Sequence, residues 1–230
     1  GGMPASYGGR LSSILEVKSS AGNFREFNGE ANIGFVSGNL MLEGPIIKDK
    51  LSFMISGRRT YIDAVSQTFT EHSTIFNTGI DYFFYDLNAR ADWRITERDR
   101  VSFSHYSGKD DFLFNGVTSM ENTMDWRNNI SSMQWEHVFS ENAYLTTHVY
   151  RSNYKMNFGA RINDYLFNII SEIDDWGVKS NFDLKSGKND FQIGVEAIQH
   201  QFLPNQMRAN TFDIELDFVE QERLSAREYA

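Results

Sequence analysis

Hydrophobic and polar residues alternate along much of the chain, and the alternation is clearest in residues 83–95. Successive side chains of a β-strand point to opposite faces, so this stretch predicts a strand with one apolar face and one charged face. About thirteen residues is long against the roughly five or six usual in soluble proteins, and it suits a tilted strand that crosses a membrane. The apolar set is Phe83, Tyr85, Leu87, Ala89, Ala91, Trp93 and Ile95.

Shorter alternating stretches flank four turns of charged or small residues, which recur at intervals of about 45 residues. Longer connections separate the stretches on the other side, and we expect these at residues 60–80, 109–126, 156–171 and 203–218. Short turns on one side and long loops on the other are typical of a transmembrane β-barrel. The turns are Lys48-Asp49-Lys50, Glu97-Arg98-Asp99-Arg100, Glu141-Asn142 and Ser186-Gly187-Lys188-Asn189-Asp190.

The fold class predicted by this pattern is all-β, an antiparallel transmembrane barrel segment of about ten strands. The count includes a weaker pair around Ser37-Gly38-Asn39 and an interrupted strand near residues 224–230. A plugged transporter barrel has about 22 strands, so we expect this chain to be a segment of a longer protein that holds under half of such a barrel. Because proline cannot donate to a strand ladder, Pro4, Pro45 and Pro204 are expected outside strand interiors.

The amino-acid composition narrows the possible classes of protein and of partner. Hydrophobic residues make up 40% of the 230 positions, and no run approaches the roughly 18 apolar residues of a spanning helix. The net charge of -9 argues against nucleic acid as a partner, since phosphate binding needs a basic surface. The absence of cysteine excludes disulfides, zinc–thiolate sites and thiol nucleophiles. Aromatic residues reach 14%, which fits a β-rich core or interfacial girdles.

No catalytic motif is visible, so we expect neither an enzyme nor a cofactor or metal site. The strand register places His148 and His200 on the polar, lumen-facing side. The adjacent carboxylate pairs Asp110-Asp111 and Asp174-Asp175 lack calcium-loop spacing and are interpreted as solvated charges. We expect a luminal charge network whose members are Arg58, Arg90, Arg94, Asp86, Asp92 and Glu136.

Three short motifs in the first 65 residues carry a family resemblance. They are Pro4 with Tyr7-Gly8-Gly9-Arg10 and Ser12-Ser13, then Leu42-Glu43-Gly44-Pro45, then Arg58-Arg59-Thr60-Tyr61. Together they resemble the junction between the plug and the first barrel strands of TonB-dependent outer-membrane receptors. The sequence looks closest to the branch whose members often carry a carboxypeptidase-regulatory-like domain. Its YGGRLSSILEVKS stretch departs from the YGSRGANGVIIITTK typical of starch-utilisation-type importers.

The resemblance implies two domains. Residues 1–22 would be the carboxyl-terminal end of the plug, and residues 23–230 the amino-terminal part of the barrel. The candidate site residues at the plug–barrel junction are Tyr7, Gly8, Gly9 and Arg10. In physical terms, the two glycines permit a tight turn beside the barrel wall, and Arg10 can pair with luminal carboxylates.

The function implied is ligand uptake across the outer membrane of a Gram-negative bacterium into the periplasm. The expected partners are outer-membrane lipid, an unknown extracellular ligand, and the energy-coupling protein TonB, which would act through a segment outside this sequence. The ligand stays open between a siderophore, a peptide and a glycan. The alternatives are a passive pore or small barrel, an outer-membrane barrel enzyme, and a soluble antiparallel sandwich.

Overall fold

The computed structural model describes residues 17, 19–61, 80–115, 120–162, 165–210, 215–217 and 222–230. In these residues the chain forms one antiparallel sheet. The described part contains no helix that is long and apolar enough to span a membrane. The strands are β1 Asn28–Ile33, β2 Ser37–Ile47, β3 Leu51–Thr60, β4 Ile80–Arg94, β5 Asp99–Asn115, β6 Met120–Ser140, β7 Ala143–Ile162, β8 Tyr165–Ser186, β9 Asn189–Asn210, β10 Glu215–Asp217 and β11 Leu224–Tyr229.

Each strand from β1 to β9 pairs with its neighbour in sequence. The short strand β10 pairs with one end of β9, at Arg208 to Asn210, and β11 pairs with β9 further along, at Ala197 to Phe202. Together β10 and β11 therefore occupy one position beside β9, and the described sheet is ten positions wide. This confirms the predicted all-β antiparallel class and the estimate of about ten strands.

The structure has short connections at all four predicted turns, between β2 and β3, β4 and β5, β6 and β7, and β8 and β9. Asp49 and Gly187 adopt positive φ angles of 60° and 63° in the first and last of these turns. The predicted turn at Ser37-Gly38-Asn39 is displaced, because all three residues belong to β2 and the connection from β1 is at residues 34–36.

The two faces of the sheet have opposite chemistry. We call the face that carries Arg58 and Asp92 the inner face, and the face that carries Phe103 and Val178 the outer face. Large apolar side chains on the outer face are exposed, with Phe103 at 48% and Val178 at 48%. Among the described residues the fully buried large side chains are polar instead, and they are Thr60, Asp92 and Ser52. The sheet therefore buries polar groups and exposes apolar ones.

The predicted long loops at residues 109–126 and 156–171 are wrong. Strands β5 to β8 run through most of these residues, and β6, β7, β8 and β9 reach 21, 20, 22 and 22 residues. The alternating pattern fades there because both faces become polar, but the backbone ladder persists because its hydrogen bonds do not depend on apolar side chains. The predicted connection at 203–218 also begins within β9, and most of 60–80 lies outside the described residues.

Two prolines lie inside strands, contrary to the prediction. Pro45 is in β2 and Pro204 is in β9. The β2–β3 register shifts between Pro45 and Ile47, and the β8–β9 register shifts between Ile170 and Glu172, opposite Pro204. Both prolines therefore coincide with bulges, where a residue without an N–H leaves no ladder bond broken.

Candidate ligand-binding wall

The inner face carries a buried ionic centre around Asp92, whose side chain is fully buried. Arg90 donates from Nε and Nη2 to its two carboxylate oxygens at 2.7 and 2.9 Å. Arg100 Nη2 and Ser102 Oγ donate to Asp92 Oδ1 at 2.9 and 2.7 Å. A buried carboxylate is tolerated only when it is paired and hydrogen-bonded in this way. This confirms the Arg90–Asp92 part of the predicted luminal network.

A second ion pair of the network lies further from the turns. Arg58 donates from Nη2 and Nε to Asp86 Oδ2 at 2.5 and 2.8 Å, and the Tyr106 hydroxyl donates to Asp86 Oδ1 at 2.8 Å. These groups border an open pocket of about 540 Å³, which Asn39 and Asn88 also line. The pocket thus presents charged, phenolic and amide groups to a molecule that lies against the inner face.

An aromatic ladder continues the inner face towards the far ends of β4, β5 and β6. The rings of Tyr82 and Phe112 stack with centroids 4.1 Å apart, and those of Phe112 and Trp126 stack at 5.6 Å. The Tyr82 hydroxyl donates to Asp110 Oδ1 at 2.9 Å, which fixes the first ring of the ladder. Stacked rings with half-buried faces offer a platform for planar or apolar ligand groups.

The amino-terminal residues 19–26, which we call the strap, cross the inner face beside the turns. Arg90 Nη1 donates to the Ser19 carbonyl oxygen at 2.9 Å. The Arg94 guanidinium lies 3.8 Å from the centroid of the Phe24 ring, a cation–π distance. The Asp49 N–H donates to the Phe24 carbonyl oxygen at 2.9 Å, so the first short turn also holds the strap.

Gly22 lets the strap approach the sheet closely. A Cβ atom at this position would overlap the carbonyl oxygen and carbon of Phe53 in β3. Only glycine fits such a backbone-to-backbone contact without a shift of the chain. Arg25 adds an exposed ion pair from Nε to Asp49 Oδ1 at 2.9 Å. The strap is therefore fixed to the wall by backbone packing on β3 and by side chains of β4 and the first short turn.

The structure separates the predicted site residues. The junction candidates Tyr7, Gly8, Gly9 and Arg10 lie outside the described residues. Arg94 is on the inner face as predicted, but its guanidinium contacts Phe24 of the strap.

The register confirms that His148 and His200 lie on the inner face, in line with Gln134 and Asp175. His200 Nδ1 is 2.8 Å from Asp175 Oδ1. In the described residues no group of three or more His, Cys, Asp or Glu side chains is arranged to hold a metal ion.

The adjacent carboxylates point apart, because neighbouring strand residues face opposite ways. Asp174 binds Arg151 on the outer face at 2.7 Å, while Asp175 binds His200 on the inner face. Asp110 and Asp111 divide in the same manner between Tyr82 and Lys109. Neither pair can therefore place both carboxylates on one calcium ion.

Sequence reasoning did not find the aromatic ladder or the strap contacts. Phe112 and Trp126 were assigned to a loop, where period-two alternation has no meaning. The Arg90–Ser19 hydrogen bond joins residues 71 positions apart, and no local pattern reports such a contact. The glycine at position 22, just ahead of a predicted strand, was the one local signal for close approach.

No family model matches the chain, and no curated protein matches its sequence. Among solved structures, the chain is similar to the ferric yersiniabactin uptake receptor FyuA from Yersinia pestis, with a TM-score of 0.56 and 11% sequence identity. The similarity covers 84% of this chain and 33% of that receptor, so the chain spans about a third of the receptor's length. At this identity the comparison shows the fold alone, which is that of an antiparallel β-barrel segment.

Proposed function

We propose that this chain is part of a TonB-dependent receptor of the Gram-negative outer membrane, which takes up a ligand into the periplasm. The observation that carries the proposal is the inverted partition of the sheet. Charged and hydroxyl side chains are buried on the inner face, while Trp176 and Ile193 on the outer face are 53% and 68% exposed. The similarity to an uptake receptor supports the same conclusion at the level of the fold.

Elementary energetics favour lipid around the outer face. Exposing a large apolar side chain to water costs about 1.5–3 kcal/mol relative to burial, and the outer face does this on most strands. In a bilayer the same residues are solvated by acyl chains, and the strands satisfy their backbone groups by pairing with each other. Alternating apolar-out and polar-in strands are the pattern of transmembrane barrels.

The proposed ligand path follows the inner face. Short turns mark the periplasmic end in such barrels, so the aromatic ladder lies towards the outside and the ionic centre towards the periplasm. A ligand entering from outside would meet the ladder first, then the pocket beside Arg58 and Asp86. The ionic centre and the strap lie at the periplasmic end of this proposed path.

The finer assignments belong to the same proposal. We assign residues 1–22 to the carboxyl-terminal end of a plug, with Tyr7, Gly8, Gly9 and Arg10 at its junction with the barrel. The hydrogen bond from Arg90 to Ser19 and the close approach of Gly22 to Phe53 support this assignment, because they hold these residues against the wall. TonB would act on a part of the plug that lies outside this sequence. The proposed activity of the whole protein is transport.

The test uses the full-length gene product, fractionated and then reconstituted into phospholipid vesicles. We expect the protein in the outer-membrane fraction, from which only detergent should release it. Vesicles that contain it should swell slowly in arabinose solution, because a plugged barrel does not let the sugar enter. Rapid swelling would instead identify an open passive pore. Recovery in the soluble fraction without detergent would overturn the membrane assignment altogether.

A further inference from the structure

The inner face changes character along the strands, from charged and hydroxyl groups near the short turns to apolar groups towards the far ends. One row of aromatic, aliphatic and thioether side chains runs there without interruption across six neighbouring strands. Each member is directly opposite the next in the strand register. We call this row the inner belt, and its members are Tyr82, Phe112, Met124, Phe158, Ile169 and Met207.

The inner belt is long and partly exposed. Neighbouring strands lie about 4.8 Å apart, so a row across six strands is about 24 Å long. Phe158 and Met207 are 36% and 44% exposed. In the adjacent row towards the turns, Trp126 is directly opposite Met156, which widens the apolar surface. A contiguous exposed apolar surface of this size is typical of a binding site.

The outer face is hydrophilic behind the middle of the inner belt. Asp111 is directly opposite Asp125, which is directly opposite Asn157. These three residues are chain neighbours of belt members, so their side chains point to the outer face. The two faces of β5, β6 and β7 thus exchange polarity along the strands, although β4 keeps Phe83 on its outer face. The belt is therefore a separate apolar surface, which faces the interior and not lipid.

The described part of the strap lies at the other end of the wall. It contacts Arg90 and Arg94 of β4. Tyr82 is eight positions from Arg90 in the same strand, which is about 26 Å along an extended chain. The strap therefore occupies the polar end of the inner face, and the belt borders the far end, where the proposed ligand path begins.

The inner belt offers apolar contacts and no cation. Its one hydroxyl group, on Tyr82, already donates to the neighbouring carboxylate of Asp110. An anionic ligand would find no counter-charge here, and a sugar would leave most of its hydroxyl groups unpaired. In β4 to β9 as described, every Lys and Arg of the inner face lies nearer the short turns than the belt does, and these residues are Arg90, Arg94, Arg100, Lys179 and Lys185.

Resting on the proposed function, we propose that the inner belt binds an uncharged, predominantly apolar ligand that carries a planar ring. The stacked rings of Tyr82 and Phe112 present ring edges and faces to such a group. The thioethers of Met124 and Met207 adapt to ligand shape and make favourable contacts with rings. Removal of apolar surface from water supplies the affinity. Of the ligand classes left open by the sequence, this chemistry disfavours a glycan.

The test follows carbon-13-labelled methionine methyl groups by NMR, in the full-length protein in detergent. Met124 and Met207 report on the inner belt. Met133 is the matched control, since it is 48% exposed but lies on the outer face. Substitution of each by leucine, a well-tolerated exchange, assigns its signal. The probe is 2-naphthol, which is uncharged at neutral pH, and it should shift the Met124 and Met207 signals to saturation while Met133 shows no saturable shift.

Two comparisons test the chemistry of the ligand. The anion 2-naphthoate has the same rings and should bind at least about tenfold more weakly, because its charge is unpaired at the belt. Maltose should shift none of the three signals. Phe158→Asn removes an exposed ring of the belt and should weaken binding of 2-naphthol about tenfold, whereas Phe158→Leu keeps an apolar side chain and should weaken it less than about threefold.

Equal affinity for 2-naphthol and 2-naphthoate would overturn the proposal, and this comparison needs no variant. Saturable shifts with maltose, or equal shifts at Met133 and Met207, would overturn it as well. Absence of any saturable shift with 2-naphthol would overturn the assignment of the ligand. Recovery of the same protein in the outer-membrane fraction, with slow vesicle swelling, would show that the proposed function survives that failure.

Discussion

The outer face near the short turns and the inner face behind it are built from the same strands, yet they follow opposite rules. Phe103 on the outer face is 48% exposed, whereas its chain neighbour Ser102, which faces inward, is 7% exposed. Asp92, directly opposite Ser102, is fully buried among arginines. The difference is what the proposed location requires, with lipid around the outer face and an aqueous or protein-filled interior.

The largest effect is expected at the ionic centre. Asp92→Asn removes the charge that holds Arg90 and Arg100, and breaking a buried ion pair by removing one partner costs about 3–5 kcal/mol. Urea unfolding of the full-length protein in detergent measures this cost. The control Asp190→Asn, at an exposed position beside the last short turn, should change the free energy of unfolding by less than about 0.5 kcal/mol. Equal effects of the two substitutions would show that the inner centre carries no special stability.

The second effect separates the two faces directly. Phe103→Arg places a cation on the outer face, where an arginine costs about 2–4 kcal/mol at the bilayer midplane and less towards the interfaces. Gln192→Arg places the same side chain at an exposed position of the inner face, directly opposite Asp183, and it should be tolerated. The measurement is the yield of folded protein in the outer membrane. A tolerated Phe103→Arg with a disruptive Gln192→Arg would reverse the assignment of the faces.

A third change tests the strap. Gly22→Ala forces a Cβ into the Phe53 carbonyl group, and overpacking of this kind costs about 1–3 kcal/mol. We expect faster trypsin cleavage after Arg25, because the strap would leave the wall more often. Gly57→Ala is the matched control, since its nearest atom, the Asp86 carbonyl oxygen, is 3.8 Å from the added Cβ. Unchanged cleavage in Gly22→Ala would mean that the strap does not need its close approach.

The smallest effect is expected at the exposed Arg25–Asp49 pair, whose side chains are 77% and 55% exposed. Exposed ion pairs contribute about 0–1 kcal/mol. Arg25→Gln should therefore lower the free energy of unfolding by no more than about 1 kcal/mol, less than Gly22→Ala. A larger loss in urea unfolding would show that the ion pair, and not the backbone contact, fixes the strap.

The sequence predicts much of the scaffold because the alternation has a physical origin. In β4, Leu87, Ala89 and Ala91 on the outer face alternate with Asn88, Arg90 and Asp92 on the inner face. Arg90 and Asp92 are two residues apart, so period two alone places them on one face. The short turns are predictable for a similar reason, since Gly187 and Asp49 are residue types that tolerate positive φ angles.

The remaining features depend on contacts that no local pattern reports. Beyond Phe103 the outer face of β5 becomes hydrophilic, so alternation cannot show that the strand continues to Asn115. Pro45 and Pro204 can lie in strands because a bulge at or beside each residue interrupts the ladder. No hydrogen bond from the absent N–H is needed there. The strap joins Ser19 to Arg90 and Phe24 to Arg94 across long sequence separations, which only the folded chain brings together.

The central claim is that the outer face meets lipid and the inner face does not. The chain has no cysteine, so single cysteines in β9 of the full-length protein can each carry a spin label. Labels at Ile193, Val195 and Ala197 should be relaxed mainly by oxygen, which concentrates in acyl chains, and labels at Gln192, Gly194 and Glu196 should not. If a water-soluble nickel complex relaxed the labels at Ile193, Val195 and Ala197 as strongly as those on the inner face, the outer face would meet water, and the account would be contradicted.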